Sequence, residues 1–191
     1  MILLMGAAGS GKSMQGHQLA DEYGHAYIST GEVFRVLFTG RRRHEMLTGK
    51  LFSDGEVIRV VDRVLDLIDT KEQFILDGFP RTKPQVDWLL MQVEAGRIEL
   101  PVVVNLDISL EKIRERLEKR ARLDDTDEAI TQRHNDYEAV TRPLLDYMRE
   151  KGVKVIGVDA DGTPSEVHDR ILAALGIDPA GSLASTASAA K

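Results

Sequence analysis

The first thirteen residues, MILLMGAAGSGKS, constrain the fold more than any other stretch of the chain. Met1–Met5 is an unbroken apolar run, the pattern of a strand buried on both faces. It leads directly into Gly6-Ala7-Ala8-Gly9-Ser10-Gly11-Lys12-Ser13, which matches G-x-x-x-x-G-K-[ST]. Glycines at this spacing let the backbone curl so that successive N–H groups converge on one anion, and Lys12 adds a mobile positive charge for terminal phosphates. Ser13 supplies a hydroxyl for Mg²⁺. A helix beginning at about Ser13 points its positive N-terminal end at the same anion. Strand, loop and helix agree in order, so the segment reads as a nucleotide phosphate site rather than a structural turn.

Downstream, strand-like and helix-like stretches alternate. Met14–Tyr23 has helical spacing and stops at Gly24, a natural C-cap. Ala26–Ile28 is a short apolar piece, after which Ser29 or Thr30 caps a helix through Val33, Phe34 and Leu37. Residues 39–54 (TGRRRHEMLTGKLFSD) are polar, basic and glycine-punctuated, the pattern of a small helical excursion. Asp54 is expected to cap an amphipathic helix carrying Val57, Val60, Val61, Val64, Leu65 and Ile68 on one side. Gln73–Asp77 and Pro101–Asp107 read as strands, followed respectively by helices from about Pro84 to Glu94 and after the cap residue Ser109. A polar break at Ala121–Asp125 precedes a long helix, about Thr126 to Lys151, with a kink expected at Pro143. Val153–Val158 is the last strand and Pro164–Leu175 the last helix.

This alternation predicts a parallel sheet with helices on both faces. Ligands of such sheets sit at the carboxyl ends of the strands, so Gly6, Ser29, Asp77, Asp107 and Asp159 should ring one mouth. A chain of 191 residues with 42% hydrophobic content buries one core, and a single domain is expected. The net charge of -6 argues against an overall electrostatic grip on nucleic acid. The absence of cysteine excludes disulfides and thiolate zinc sites. No apolar stretch approaches the roughly 20 residues of a membrane span, so a cytoplasmic protein without membrane contact is expected. The tail from Pro179 is small-residue and aperiodic, and is expected to be disordered.

Several separate motifs, taken in order, resemble the adenylate kinase family of nucleoside monophosphate kinases. They are the phosphate loop, Ser29-Thr30-Gly31 with Arg35, Asp77-Gly78-Phe79-Pro80-Arg81-Thr82 with Gln85, and Arg116, Arg120, Arg122 and Arg133 around Asp124-Asp125. The resemblance covers about Met1 to Leu175, and D-G-F-P-R-T is its most specific part. It implies a P-loop NTPase-type three-layer α/β sandwich on a five-stranded parallel sheet. An AMP-binding excursion at about 30–59 and a very short lid at about 119–127 would complete a domain over 1–175, leaving 179–191 as a tail. It further implies reversible phosphoryl transfer from ATP to AMP giving two ADP, with Mg²⁺ carried by ATP, no zinc, and a monomer.

By the same resemblance Gly9, Ser10, Gly11, Lys12, Ser13 and Met14 hold ATP, with Arg116 against its base and Arg120 on its phosphates. Thr30, Arg35, Lys50, Phe52, Gly78, Arg81 and Gln85 fall on the AMP side, Gln85 reading the base. Arg122 and Arg133 serve both the AMP side and the transferring group, and Asp77 holds Mg²⁺ through water beside Ser13. The arginines suit the chemistry: the nucleophile is already a phosphate oxyanion, so anion repulsion is what the protein must overcome. Planar guanidinium forks grip phosphate oxygens bidentately and stay charged. Relatives preferring UMP or CMP resemble S-A-G and D-G-F-P-R-N where this chain has Ser29-Thr30-Gly31 and Arg81-Thr82, which favours AMP.

The chain also departs from the family. Ala8 stands where the loop usually has proline, and Ser13-Met14 where it has Gly-Thr. Only Ala121 separates Arg120 from Arg122, so less complete closure and some wasteful ATP hydrolysis are expected. A kinase for another acceptor, or a nucleotide-binding sensor without transferase activity, are the alternatives. Arg41-Arg42-Arg43 with His44 reads as a solvated helix face, the five histidines as surface residues, Trp88 as packing and the methionines as core filler. Asp124-Asp125 reads as a helix cap that tethers lid arginines rather than a metal pair.

Overall fold

The computed structural model describes residues 1–47, 52–120 and 126–178. Residues 48–51, 121–125 and 179–191, with the side chains of Leu47 and Arg120, lie outside the described part, and so therefore do Lys50, Arg122, the Asp124-Asp125 pair and the tail.

Five strands form one parallel sheet: β1 (Ile2–Gly6), β2 (Ala26–Ser29), β3 (Phe74–Asp77), β4 (Val102–Asp107) and β5 (Lys154–Asp159). Their order across the sheet is β2-β3-β1-β4-β5. Each strand ends on the residue expected to ring the mouth. β1 is central, with Leu4 opposite Asp77 on one side and Gly6 opposite Leu106 on the other. The chain leaves β1 for β2 on one side and crosses from β3 to β4 on the other, so the topological switch point falls beside the phosphate loop. That is where open α/β sheets bind ligands.

Residue alternation along β1 builds two cores. Met1, Leu3 and Met5 face α4 (Asp54–Leu65), α5 (Lys83–Glu94) and α8 (Pro143–Glu150), which contribute Val57, Val61, Val86, Leu89, Leu144 and Met148. Ile2 and Leu4 face α1 (Lys12–Tyr23) and α9 (Pro164–Leu175), through Leu19, Val167, Ile171 and Leu172. The result is the three-layer sandwich. A third, smaller cluster of Ala7, Ile113, Leu117, Ile130 and Tyr137 fastens α6 (Leu110–Arg120) and α7 (Asp127–Asp136) to the phosphate loop. Among the described residues no helix is long and apolar enough to cross a membrane.

Helix α2 (Thr30–Leu37) follows β2 directly, and α3 (Gly40–Leu47) lies in the polar stretch that begins at Thr39. Ser29 caps α2 by accepting from Glu32 N–H. For α4 the cap is Ser53, not Asp54. The Ser53 N–H and hydroxyl both donate to Glu56. The Asp54 carboxylate instead turns to Thr82 and Gln85, whose donors outcompete its own helix end.

The expected long helix with a kink at Pro143 is instead three pieces: α7, a π-helical turn at Tyr137–Thr141, and α8. Arg142 N–H reaches back to Tyr137 O at 2.7 Å, a five-residue step that widens the backbone just before the proline ring needs room. Thr126 caps α7 through Ala129 N–H.

Candidate active site

A cleft of about 870 Å³ opens at the carboxyl ends of the strands. On its floor the phosphate loop passes through left-handed backbone at Gly6, Gly9 and Gly11 before α1 begins. Lys12 Nζ donates to the carbonyls of Gly6 and Ala7, each at 2.8 Å, which holds the ammonium over the loop's own mouth. The Ser10 hydroxyl is buried within the loop and has no hydrogen-bond partner among the described residues. Arg116, on α6, donates to Ser10 O at 3.2 Å, Ala160 O at 2.8 Å and Gly162 O at 3.0 Å. It thereby ties the loop to the β5–α9 turn, leaving its guanidinium on the cleft wall.

Beside the loop stands Asp77, a buried carboxylate at the end of β3. Ser13 Oγ donates to its Oδ2 at 2.8 Å and Tyr27 OH to the same oxygen at 2.9 Å. Burial, reinforced by the Asp77 charge, pushes the Tyr27 phenol well above its usual range, so it remains a donor. Tyr27 has room because position 16 is glycine; a Cβ there would overlap the tyrosine ring. A hydroxyl and a carboxylate this close offer the hard oxygen chemistry that suits Mg²⁺. Among the described residues no group of three His, Cys, Asp or Glu side chains is placed to hold a metal, so the protein's part here is this one pair.

Across the cleft lies a second cationic region. Arg81 Nε donates to Gly78 O at 2.8 Å, and Arg35 on α2 and Arg133 on α7 converge on the same space. Arg81 opens to the cleft on one side. Enclosure by the surrounding protein lowers its pKa, with Asp77 and Asp136 opposing the shift and the Arg133 and Arg35 charges adding to it. Three like charges held together destabilise one another, and a bound anion relieves that strain. Gly78 makes the approach possible. Its φ is +82°, and a Cβ would lie 2.7 Å from Thr30 Oγ1 and 3.1 Å from Arg81 Nη2.

Thr30 is buried and donates to Asp77 O at 3.2 Å. Gln85 is buried in the cleft wall, its Oε1 accepting from Arg81 N–H and its Nε2 donating to Asp54 Oδ1. Phe52 lines the cleft and packs on Phe34 and Phe38, ring centroids 5.3 and 4.5 Å away.

The cleft therefore gathers Gly9, Ser10, Gly11, Lys12, Ser13 and Met14 on one side. Thr30, Arg35, Phe52, Gly78, Arg81, Gln85 and Arg133 lie on the other, with Asp77 and Arg116 between. Lys50 and Arg122 lie outside the described residues, and of Arg120 only the backbone, at the end of α6, is described. Tyr27 and Asp54 were not singled out from sequence as site residues. Tyr27 sits on a short strand whose inward side its period-two neighbours predict, whereas nothing in the local pattern marks Asp54 as more than a helix start.

Two expectations change. His168 is buried, with Nδ1 3.0 Å from Gln15 Oε1 and Nε2 2.8 Å from Glu22 Oε2, joining α9 to α1. Methionine is not uniformly filler: Met1, Met5 and Met148 are buried, but Met14 and Met91 are exposed. Trp88 packs edge-on against Phe79, as expected. The Arg41–Arg43 run is exposed, its members paired with Glu45, Glu56 and the Arg35 carbonyl.

The "Adenylate kinase" family model matches residues 4–153. An adenylate kinase of Mycobacterium sp. (strain MCS) is 35% identical over 181 residues, spanning 92% of this chain and 98% of its own. One of Mycobacterium tuberculosis (strain ATCC 25177 / H37Ra) is 36% identical over 181 residues with the same coverage. One of Corynebacterium aurimucosum is 34% identical over 180 residues, or 91% of this chain and 98% of its own. With the phosphate loop and the D-G-F-P-R-T turn facing each other across one cleft, and with relatives matching over nearly their full length, the chain belongs to the adenylate kinase family.

Proposed function

We infer that the chain catalyses reversible phosphoryl transfer from Mg-ATP to AMP, giving two ADP. The observation that carries this reading is the pairing, in one cleft, of a phosphate loop with a separate arginine triad at the switch point of the sheet. One such site binds a nucleotide. Two facing sites let the phosphate oxygen of one nucleotide attack the terminal phosphorus of the other, breaking its bond to the bridging oxygen and releasing ADP.

No general base is required, because the attacking oxygen is already ionised. The loop N–H groups and Lys12 hold the donor phosphates, while Arg81, Arg35 and Arg133 hold the acceptor phosphate and offset its repulsion with the donor. Gln85 and Thr30 face the acceptor base, Phe52 lies beside them, and Lys50 is assigned to the same side. Arg120 and Arg122 are assigned to the transferring group, and Arg116 to the ATP base. Mg²⁺, brought in with ATP, would be held beside Ser13 and Asp77, where it would offset negative charge on the donor phosphates.

The reading includes a single domain over 1–175, an acceptor excursion at about 30–59 and a lid at about 119–127 whose shortness lets some ATP pass to water. A cytoplasmic, monomeric enzyme acting on ATP, AMP and ADP completes it.

A bisubstrate analogue tests the two-site reading. Two adenosines joined by five phosphates should inhibit competitively against both ATP and AMP, and bind at least 100-fold more tightly than either alone. Competition with ATP alone would leave only the donor half of the reading standing.

A further inference from the structure

Gln85 is held at both ends of its carboxamide. Oε1 accepts from Arg81 N–H at 2.7 Å and Nε2 donates to Asp54 Oδ1 at 2.8 Å. These partners fix which end is which. A backbone N–H only donates and a carboxylate only accepts, so a flipped amide would set N–H against N–H and oxygen against oxygen. The same Asp54 Oδ1 accepts from Thr82 Oγ1 at 2.6 Å, which anchors the carboxylate from a second direction. Asp54 itself stands at the first turn of α4, outside the lining of the cleft, whereas the buried Gln85 is part of that lining.

A carboxamide oxygen has two acceptor positions and its nitrogen two N–H groups. Among the described residues each end of Gln85 spends one on the protein, leaving one acceptor and one donor in a fixed order. Adenine presents a matching edge, an amino donor at position 6 and an acceptor at N1. A 6-oxopurine presents the reverse, an acceptor at position 6 and a donor at N1. A freely rotating glutamine accommodates both by flipping; one held in a single sense does not.

We propose that Asp54 is a specificity-positioning residue, which by holding the Gln85 carboxamide in one sense makes the acceptor site discriminate 6-aminopurine from 6-oxopurine nucleotides. The proposal rests on the reading of Gln85 as the base contact and adds to it the residue that sets its orientation. Without Asp54, a flip no longer sets oxygen against oxygen, and the Arg81 N–H alone opposes it, a cost that new bonds to a 6-oxopurine offset.

The test is the ratio of kcat/KM for AMP to that for inosine monophosphate. Wild type should favour AMP strongly. Asp54→Ala should lower the ratio by roughly tenfold, the factor one lost orienting hydrogen bond carries. Asp54→Asn should keep it within about threefold, because one amide oxygen can accept both contacts that Oδ1 accepts now. Ser53 and Glu56 cap α4 independently of Asp54, so the helix start survives. Should the alanine variant melt early, Asp54→Ser, too short to reach Gln85, takes its place. A purely structural role would lower kcat/KM for both acceptors by one factor and leave the ratio unchanged. An unchanged ratio in Asp54→Ala alongside a collapsed ratio in Gln85→Ala would overturn the role of Asp54 alone. An unchanged ratio in Gln85→Ala would overturn the base contact and this proposal with it.

Discussion

Replacing Lys12 by methionine should lower kcat by about 100- to 1000-fold while leaving the melting temperature within a few degrees. Methionine keeps the length and apolar stem but removes the charge that Gly6 O and Ala7 O hold over the loop. Loss of one preorganised cation or donor at developing negative charge has this size in water-excluded sites. Initial-rate kinetics with saturating ATP and AMP, beside a thermal melt, check both halves. Near-normal turnover would remove Lys12 from the transferring machinery.

Arg81→Ala should behave differently on the two axes. Its guanidinium sits with Arg35 and Arg133 on the side of the cleft proposed to hold the acceptor, so kcat/KM for AMP should fall by about 1000-fold, the scale of losing one charged hydrogen-bonded contact. Stability should not fall in step. Arg81 stands beside two like charges, Arg35 and Arg133, and removing it relieves repulsion that Asp77 and Asp136 oppose. Residues strained for function commonly show this separation. Arg81→Lys should recover little, since an ammonium lacks the planar fork that grips two phosphate oxygens. Loss of activity and a large loss of stability together would mean that Arg81 holds the fold and not the acceptor.

The sheet and most helices were legible because their signals are local. β1 and β3 are short apolar runs, α9 has a proline start and a glycine stop, and Ser29 has the cap residue's usual relation to Glu32. Residues that a motif carries, such as Lys12, Arg81 and Gln85, do come together in the lining of one cleft. What escaped depends on partners distant in the chain. Asp54 looks like a helix cap until Thr82 and Gln85 arrive from 28 and 31 residues away. His168 looks like a surface residue of α9 until Gln15 and Glu22 on α1 meet it. The π turn at Tyr137–Thr141 keeps a helical composition, so only the geometry imposed by Pro143 reveals it. Tyr27 gains its meaning from an absence, the missing side chain at Gly16.

The central claim is that the two sides of the cleft exchange a phosphoryl group between adenine nucleotides. The most direct measurement is ADP formation from Mg-ATP in parallel with AMP, UMP, CMP, GMP or no acceptor. Strong turnover with AMP, at least 100-fold above the other acceptors and with a small acceptor-independent background from the short lid, is the expected result. Turnover preferring a pyrimidine acceptor, or ATP binding with no transfer to any acceptor, would contradict it.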